Sequence, residues 1–315
     1  MQGAGVRVVV VGQVARDLVL TVDGVPGAGG SATVRERAEL LGGKGANQAR
    51  ACRQLGASAA LVGVVGDDPA GGQVLDEARA AGLEVAGVVV RAGARTALLV
   101  DVVGPPGERR LLEHVEPGVL LTADDVAAAA DALRAADAVL LQLQQPGPAV
   151  RAALRLVGPR ALVVADGAPG DPALVAELLS AGAVLRADAT EARTLAGRTV
   201  HGVADAVAAA TGLVARGARV VRLAAGADGD VVAWPGGHVV TPLLGEDPVD
   251  PTGAGDASTA ALALALAGGR DPEEAAWWAA VAARRTVTHV GGRPDLDPGS
   301  LAAEAARARA AHASA

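Results

Sequence analysis

The run Asp250-Pro251-Thr252-Gly253-Ala254-Gly255-Asp256 sets a carboxylate directly behind a turn of small residues, ahead of an Ala/Leu stretch at 257–267 with the composition of a helix. Small residues at Gly253, Ala254 and Gly255 let backbone N–H groups approach an anion closely, and a helix N-terminus adds partial positive charge. Asp256 would then stand beside a bound phosphate. A carboxylate there can accept the proton of a hydroxyl that attacks a phosphoryl group, so the chemistry suggested is phosphoryl transfer to an alcohol. Taken alone, the heptapeptide is equally a glycine turn with Asp256 as a helix N-cap.

A second glycine cluster, Leu41-Gly42-Gly43-Lys44-Gly45-Ala46-Asn47-Gln48-Ala49, bares the backbone at the start of another predicted helix. Lys44 and Asn47 are three residues apart, so on a helix they share a face and can address one polar ligand. The spacing and the missing Ser/Thr after the lysine exclude a Walker P-loop. This cluster alone also reads as a tight strand-to-helix turn.

The elements that must hold these residues alternate between β-branched runs and Ala-rich helical stretches. That is the pattern of an α/β protein with a doubly wound, mainly parallel sheet flanked by helices. Core strands are expected at 6–11, 59–65, 138–143, 161–165, 183–185 and 218–223. Two regions break the alternation, 18–41 and 96–114, the latter reading as two strands around the turn Gly104-Pro105-Pro106-Gly107. In open α/β sheets ligands bind at the carboxyl ends of the strands, so Asp17, the Gly43 turn and Gln144 should converge on one crevice.

The two glycine clusters, in this order and about two hundred residues apart, resemble those of the ribokinase-like (PfkB) family of carbohydrate kinases, and most closely its ribokinases. The likeness extends over nearly the whole chain. Residues 8–20 with Asp17 look like the family's sugar-binding start, and 62–68 like its Gly-Asp-Asp turn. Asp188-Ala189-Thr190-Glu191 occupies the place of an Asn-x-x-Glu motif, and Ala225-Gly226-Ala227-Asp228-Gly229 that of the nucleotide loop. Thr288-His289-Val290-Gly291-Gly292 resembles the segment that closes the nucleotide and monovalent-cation site.

The resemblance implies one ribokinase-like domain over 1–315, with a small β-sheet lid built from the insertions at about 18–41 and 96–114. It implies ATP-dependent phosphorylation of a sugar hydroxyl, in the ribokinases D-ribose to D-ribose 5-phosphate, with Asp256 as base and Gly253, Ala254 and Gly255 as the anion hole. The sugar would be held by Asp17, Gly43, Lys44, Asn47 and Gln144. ATP would lie near Asp188, Ala224, Gly226, Asp228, Gly229 and Gly255. Mg²⁺ would bridge its phosphates largely through water, with Glu191 as an outer-shell anchor. Potassium, a monovalent activator, would be ligated at Asp250, Thr252, Thr286, His289, Gly291 and Asp295, several through backbone carbonyls. Family members often pair through their lids, so a homodimer is a further implication.

This chain departs from the family pattern. Ala15 stands where an Asn is typical and Gln144 where a Glu is, both normally facing the sugar, and a pocket built for particular hydroxyls discriminates strongly. Asp188 replaces the motif Asn and Ala224 a frequent Thr; Ser258 stands where a Phe is common, in keeping with a chain that lacks Phe. The changes at 15, 144, 188 and 224 leave open a kinase for another sugar, a nucleoside or a phosphosugar, and also a sugar-binding relative without turnover.

Composition narrows the field. Hydrophobic residues make up 51% of the 315, mostly Ala and Val, with three Trp and neither Phe nor Tyr. That excludes an aromatic platform for single-stranded nucleic acid, and a net charge of -7 argues against phosphate-backbone binding. Cys52 is the sole cysteine, so no internal disulfide forms. With neither a signal-peptide pattern nor a membrane-length apolar run, the expectation is a cytoplasmic protein acting on small molecules, without nucleic-acid or membrane partners. The five histidines are scattered and lack zinc-ligand spacing. Of the adjacent Trp277 and Trp278, one is expected buried and the other partly exposed. Residues 302–315 read as a surface helix with a frayed end.

Overall fold

A computed structural model describes residues 5–105, 108–245, 250, 252–289 and 295–314. In chain order the strands are β1 (Arg7–Val11), β2 (Ala15–Val22), β3 (Val34–Gly42), β4 (Ser58–Gly66), β5 (Glu84–Arg91), β6 (Ala97–Val103), β7 (Arg109–His114), β8 (Ala138–Gln142), β9 (Leu162–Asp166), β10 (Val184–Ala187), β11 (Val220–Ala224), β12 (Asp230–Trp234) and β13 (Gly237–Thr241). The helices are α1 (Lys44–Gln54), α2 (Pro69–Ala80), α3 (Ala123–Ala128), α4 (Ala130–Ala135), α5 (Gly147–Leu156), α6 (Pro172–Ser180), α7 (Ala189–Ala196), α8 (Val203–Ala215), α9 (Ala254–Ala267), α10 (Pro272–Val287) and α11 (Pro298–Ala313).

The large sheet has nine strands in the order β13-β12-β11-β10-β9-β8-β1-β4-β5, parallel except that β12 runs antiparallel to both its neighbours. Its central strands are apolar up to a polar last residue, as in Leu162–Asp166 and Ala138–Gln142, and every residue of these is buried, as strands covered on both faces require. Along β1, Val8 and Val10 enter the core beneath α1, α9 and α10. Val9 and Val11 enter the one beneath α5, α6 and α8. The chain thus makes the doubly wound sheet that its periodicity predicts, and adds strands β5, β12 and β13 at the edges.

Helix starts have a simple sequence origin. Asp68-Pro69, Asp171-Pro172, Asp271-Pro272 and Asp297-Pro298 each begin a helix, the aspartate accepting from the backbone N–H of Gly71, Ala173, Glu274 and Ser300 respectively. Proline at the first helical position loses no hydrogen bond, because that N–H has no partner within the helix.

With no Phe or Tyr to fill it, the core under α9 is packed from Ala, Val and Leu and closed by Trp277 and Trp278. Trp277 and Trp278 are 1% and 6% exposed, so the expectation of one exposed ring fails. Helix α10 lies between α9 and α11 and therefore has two covered faces. Trp277 meets the His312 ring on α11, with centroids 5.3 Å apart, and Trp278 lies beneath the Arg270 guanidinium. For the same reason α11 is anchored to the body: Leu301 and Ala305 are buried and Glu304 pairs with Arg284 and Arg285.

A separate four-stranded sheet, order β3-β2-β6-β7, is built from the two stretches that broke the alternation; it begins at Ala15, three residues earlier than expected. No helix among the described residues is long and apolar enough to cross a membrane.

Candidate active site

The chain order of the large sheet reverses between β1 and β8, and a crevice opens at their carboxyl ends. Gln142 stands at its floor and accepts the Gln13 N–H through Oε1 at 2.7 Å. The crevice is a cavity of about 610 Å³, and all the residues expected to hold a sugar line it: Asp17, Gly43, Lys44, Asn47, Gln144 and Asp256. The small sheet covers it with Leu99, Asp101, Arg109, Leu111 and Glu113.

Two helices aim their N-termini at this space. Helix α1 starts at Gly43 with φ 85° and α9 at Gly253 with φ 73°, in the left-handed region that a side chain disfavours. Asp256 is the third helical residue of α9 rather than its cap, which moves its carboxylate off the helix axis and toward α1. Its Oδ2 accepts from Asn47 Nδ2 at 3.2 Å and its Oδ1 from Gln48 Nε2 at 3.1 Å. The same Gln48 amide donates to Asp166 Oδ2 at 2.7 Å, and Asp166 Oδ1 accepts from Arg186 Nη1 at 3.0 Å. Burial, then the negative charge of Asp166, pushes Asp256 up to about 6, against the pull of Lys44 and the two amides. A carboxylate of that basicity is matched to taking a proton near neutral pH.

At the far wall Asp188 caps α7, its Oδ1 accepting from the N–H groups of Thr190 and Glu191, while Glu191 Oε2 accepts the Asp188 N–H. This reciprocal capping box turns Glu191 inward. Its Oε1 accepts from Gln144 Nε2 at 2.9 Å and lies 3.7 Å from Lys44 Nζ. Asp188, expected near the nucleotide, lines this first cavity.

A second cavity, of about 720 Å³, lies on the other side of the α9 N-terminus. Residues 242–245 and the α10 residues Ala280, Ala283 and Val287 give it apolar walls; Arg186, Arg222, Arg284 and Asp230 give it charge. Of the residues expected around a nucleotide, Gly255 lines this space. Ala224, Gly226, Asp228 and Gly229 sit in and before the tight turn from β11 to β12, closed by the Ala225 N–H donating to the Gly229 carbonyl, and they do not line it. A Cβ at Gly229 would lie 2.1 Å from the Thr241 carbonyl, so this turn packs on the segment leading into the cavity wall.

Around the expected cation loop, the buried Asp250 accepts from the Thr252 N–H and hydroxyl through Oδ1, at 2.8 and 2.5 Å, and donates its own N–H to the Val287 carbonyl. The loop is thereby tied to the end of α10, where Thr286 is buried and His289 follows. Asp295 is exposed, and Gly291 lies outside the described residues. The Thr252 hydroxyl is also 3.0 Å from Asp101 Oδ2 of the small sheet.

Sequence reasoning assigned no role in this site to Gln13, Gln48, Asp101, Gln142, Asp166, Arg186 or Arg222. The available signal was a polar residue ending an otherwise apolar strand, as in Asp166 and Gln142, or interrupting one, as in Arg186 and Arg222. Cys52 is buried with its thiol pushed up to about 12, a core residue. No group of three or more metal-binding side chains occurs among the described residues.

The chain belongs to the pfkB family of carbohydrate kinases, whose family model matches residues 6–298. It is a sugar phosphotransferase. It is 31% identical over 303 residues to the ribokinase of Bacillus subtilis, covering 90% of this chain and 94% of that one. Identity to the ATP-dependent ribose-1-phosphate kinase of Halopiger xanaduensis is also 31%, over 291 residues, covering 91% and 94%. It spans 48% of the bifunctional ribokinase/ribose-5-phosphate isomerase A of Fructilactobacillus sanfranciscensis at 28% identity, with 82% of this chain covered. Among solved structures, the ribokinase of Arabidopsis thaliana complexed with ribose and ATP superposes with a TM-score of 0.74 at 25% identity, over 96% of this chain and 98% of that one.

Proposed function

We propose that the chain transfers the γ-phosphate of ATP to a hydroxyl of a small uncharged sugar, D-ribose first, with Asp256 as the base. The carrying observation is the buried Asp256 carboxylate, raised to about 6, facing the polar cavity beside the glycine turn that separates it from the second cavity. An acceptor hydroxyl would give its proton to Asp256 while its oxygen bonds to the γ-phosphorus. The bond from that phosphorus to the bridging oxygen breaks and ADP leaves. The N–H groups at Gly253, Ala254 and Gly255 meet the charge of the transferring group. The apolar pocket against α10 suits an adenine.

Mg²⁺ bound with the nucleotide would neutralise phosphate charge. Both Glu191 oxygens already accept hydrogen bonds, so Glu191 and Asp188 fit an ion held through water, as suits one that keeps much of its hydration. Asp250, Thr252, Thr286 and His289, with Gly291 and Asp295, are proposed to hold potassium. The buried Asp250 carboxylate at the base of the Gly253 turn supports that part. Replacing potassium by lithium should then lower turnover, and equal rates in both would remove the ion from the proposal.

A phosphosugar acceptor is the second reading, since Lys44 and Arg109 line the acceptor cavity. Both already have carboxylate neighbours, Glu191 and Asp101, which favours the uncharged sugar. The lid's outward Leu112 and Val34 are 61% and 42% exposed, and pairing of two lids would cover them. Sedimentation velocity checks that dimer. The functional test is ADP release from ATP with Mg²⁺ and potassium across D-ribose, D-fructose, ribose 1-phosphate and nucleosides. D-ribose should give the highest kcat/KM; a higher value for ribose 1-phosphate would select the second reading.

A further inference from the structure

Arg186 and Gly255 are the residues that line both cavities. They form the neck between them, and a phosphoryl group moving from a nucleotide on one side to a hydroxyl on the other must pass it. We propose that Arg186 is a catalytic residue whose guanidinium grips the non-bridging oxygens of the transferring phosphoryl group. This rests on the reading of the second cavity as the nucleotide site.

The geometry around Arg186 supports a free face. Its side chain is 14% exposed, and among the described residues its hydrogen bonding is confined to Nη1, which donates to Asp166 and lies 3.9 Å from Glu191 Oε2. Nη2 lies against the first turn of α9, where a Cβ on Gly255 would come within 2.8 Å of it. The glycine turn opens that same first turn of α9, so guanidinium and backbone donors can share one anion. Arginine suits the place because its planar fork matches phosphate oxygens two at a time and it does not lose its proton. Asp166, 1% exposed, compensates the charge that burial would otherwise make costly. During transfer the acceptor oxygen–phosphorus bond forms as the phosphorus–bridging oxygen bond breaks, the proton goes to Asp256, and Arg186 holds oxygens that are bonded to neither partner.

The neighbouring strand supplies a contrast. Arg222 is the register partner of Arg186 across β10 and β11, yet it lines only the second cavity. Its Nη1 donates to Ser258 Oγ at 2.7 Å and its Nη2 to Asp230 Oδ2 at 2.5 Å, so its two ends are tied down. Ser258 passes the link on to the Gly255 carbonyl. Arg222 supports the wall; Arg186 faces the passage.

The test compares Arg186→Gln, Asp166→Asn and the double variant Asp166→Asn/Arg186→Gln in the full-length chain, reading kcat, the binding of ATP and ADP, and Tm. The double variant removes the ion pair without leaving a bare buried carboxylate, so it keeps the test informative if Arg186→Gln fails to fold. A phosphoryl-gripping role predicts that the double variant loses about 10²–10³-fold in kcat, stays far below Asp166→Asn alone, and binds ADP within about threefold of wild type. A double variant as fast as Asp166→Asn would overturn the proposal and leave Arg186 as a partner for Asp166. Absence of sugar-dependent ADP release in the wild-type chain would overturn the kinase reading itself, and this inference with it. Wild-type turnover with a fast double variant overturns this inference alone.

Discussion

The two cavities on either side of the α9 N-terminus are built by different means. The first cavity takes its base and glycine turns from short local motifs: Gly43, Lys44 and Asn47 lie within five positions, as do Thr252, Gly253, Gly255 and Asp256, while the small sheet and the strand ends supply the rest of its walls. The second cavity is lined by one residue each from β10, β11 and β12, together with the 242–245 segment, the start of α9 and one face of α10, which meet only after the sheet has formed. Sequence motifs supply the chemical groups on one side; topology alone assembles the other. Substitutions should therefore separate into acceptor effects, donor effects and effects at the neck.

The largest of these separations is expected at Asp17. Asp17→Ala removes a buried carboxylate from the acceptor cavity and should lower kcat/KM for the sugar by about 10²–10³-fold while KM for ATP stays within about threefold. An equal effect on both substrates would show that the cavities are not independent. Next, Arg222→Gln should raise KM for ATP about tenfold and leave the sugar KM unchanged, because Arg222 lines only the donor side. A loss confined to sugar binding would reverse the assignment of the two cavities.

Smaller effects concern the titration of Asp256. Its carboxyl is raised by burial and by Asp166, so the acid limb of kcat/KM should fall away as pH drops through about 6. Asp166→Asn removes the second cause, and the limb should move to lower pH; a shift to higher pH would contradict the charge coupling between Asp166 and Asp256. Stability carries the opposite sign. A folded-state value above the unfolded 3.8 means that the native state binds the proton more tightly, so the cost is absent below about 4 and fully present above about 6. Asp256→Asn should accordingly raise Tm by a few degrees at pH 8 and leave it unchanged near pH 4, where most of the difference has titrated away.

The large sheet and the acceptor residues were legible because their signals are local. Val8, Val9, Val10 and Val11 announce a strand covered on both faces, and Lys44 and Asn47 share a helical face. Edge strands β12 and β13 were missed because Gly, Asp and His interrupt their short apolar runs. The burial of both Trp277 and Trp278 depends on α11 returning across α10, a contact that helical periodicity alone does not encode. Asp166, Arg186 and Gln48 are silent for the same reason. Each looks like an isolated polar residue until parallel pairing of β9 and β10 sets Arg186 beside Asp166 and helix α1 lowers Gln48 onto the pair. The expected nucleotide loop at Gly226–Gly229 was legible as a turn, but its position beside the second cavity and outside its lining follows from how β12 folds back.

The central claim is that Asp256 takes the acceptor proton at the junction of the two cavities. Its most direct measurement is sugar-dependent ADP release by wild-type chain and Asp256→Asn at pH 8, with Tm recorded to show that both are folded. The account predicts turnover with D-ribose in the wild type and a loss of about 10²–10⁴-fold in the variant, with ATP still bound. A folded Asp256→Asn that keeps more than about a few per cent of wild-type turnover would contradict it.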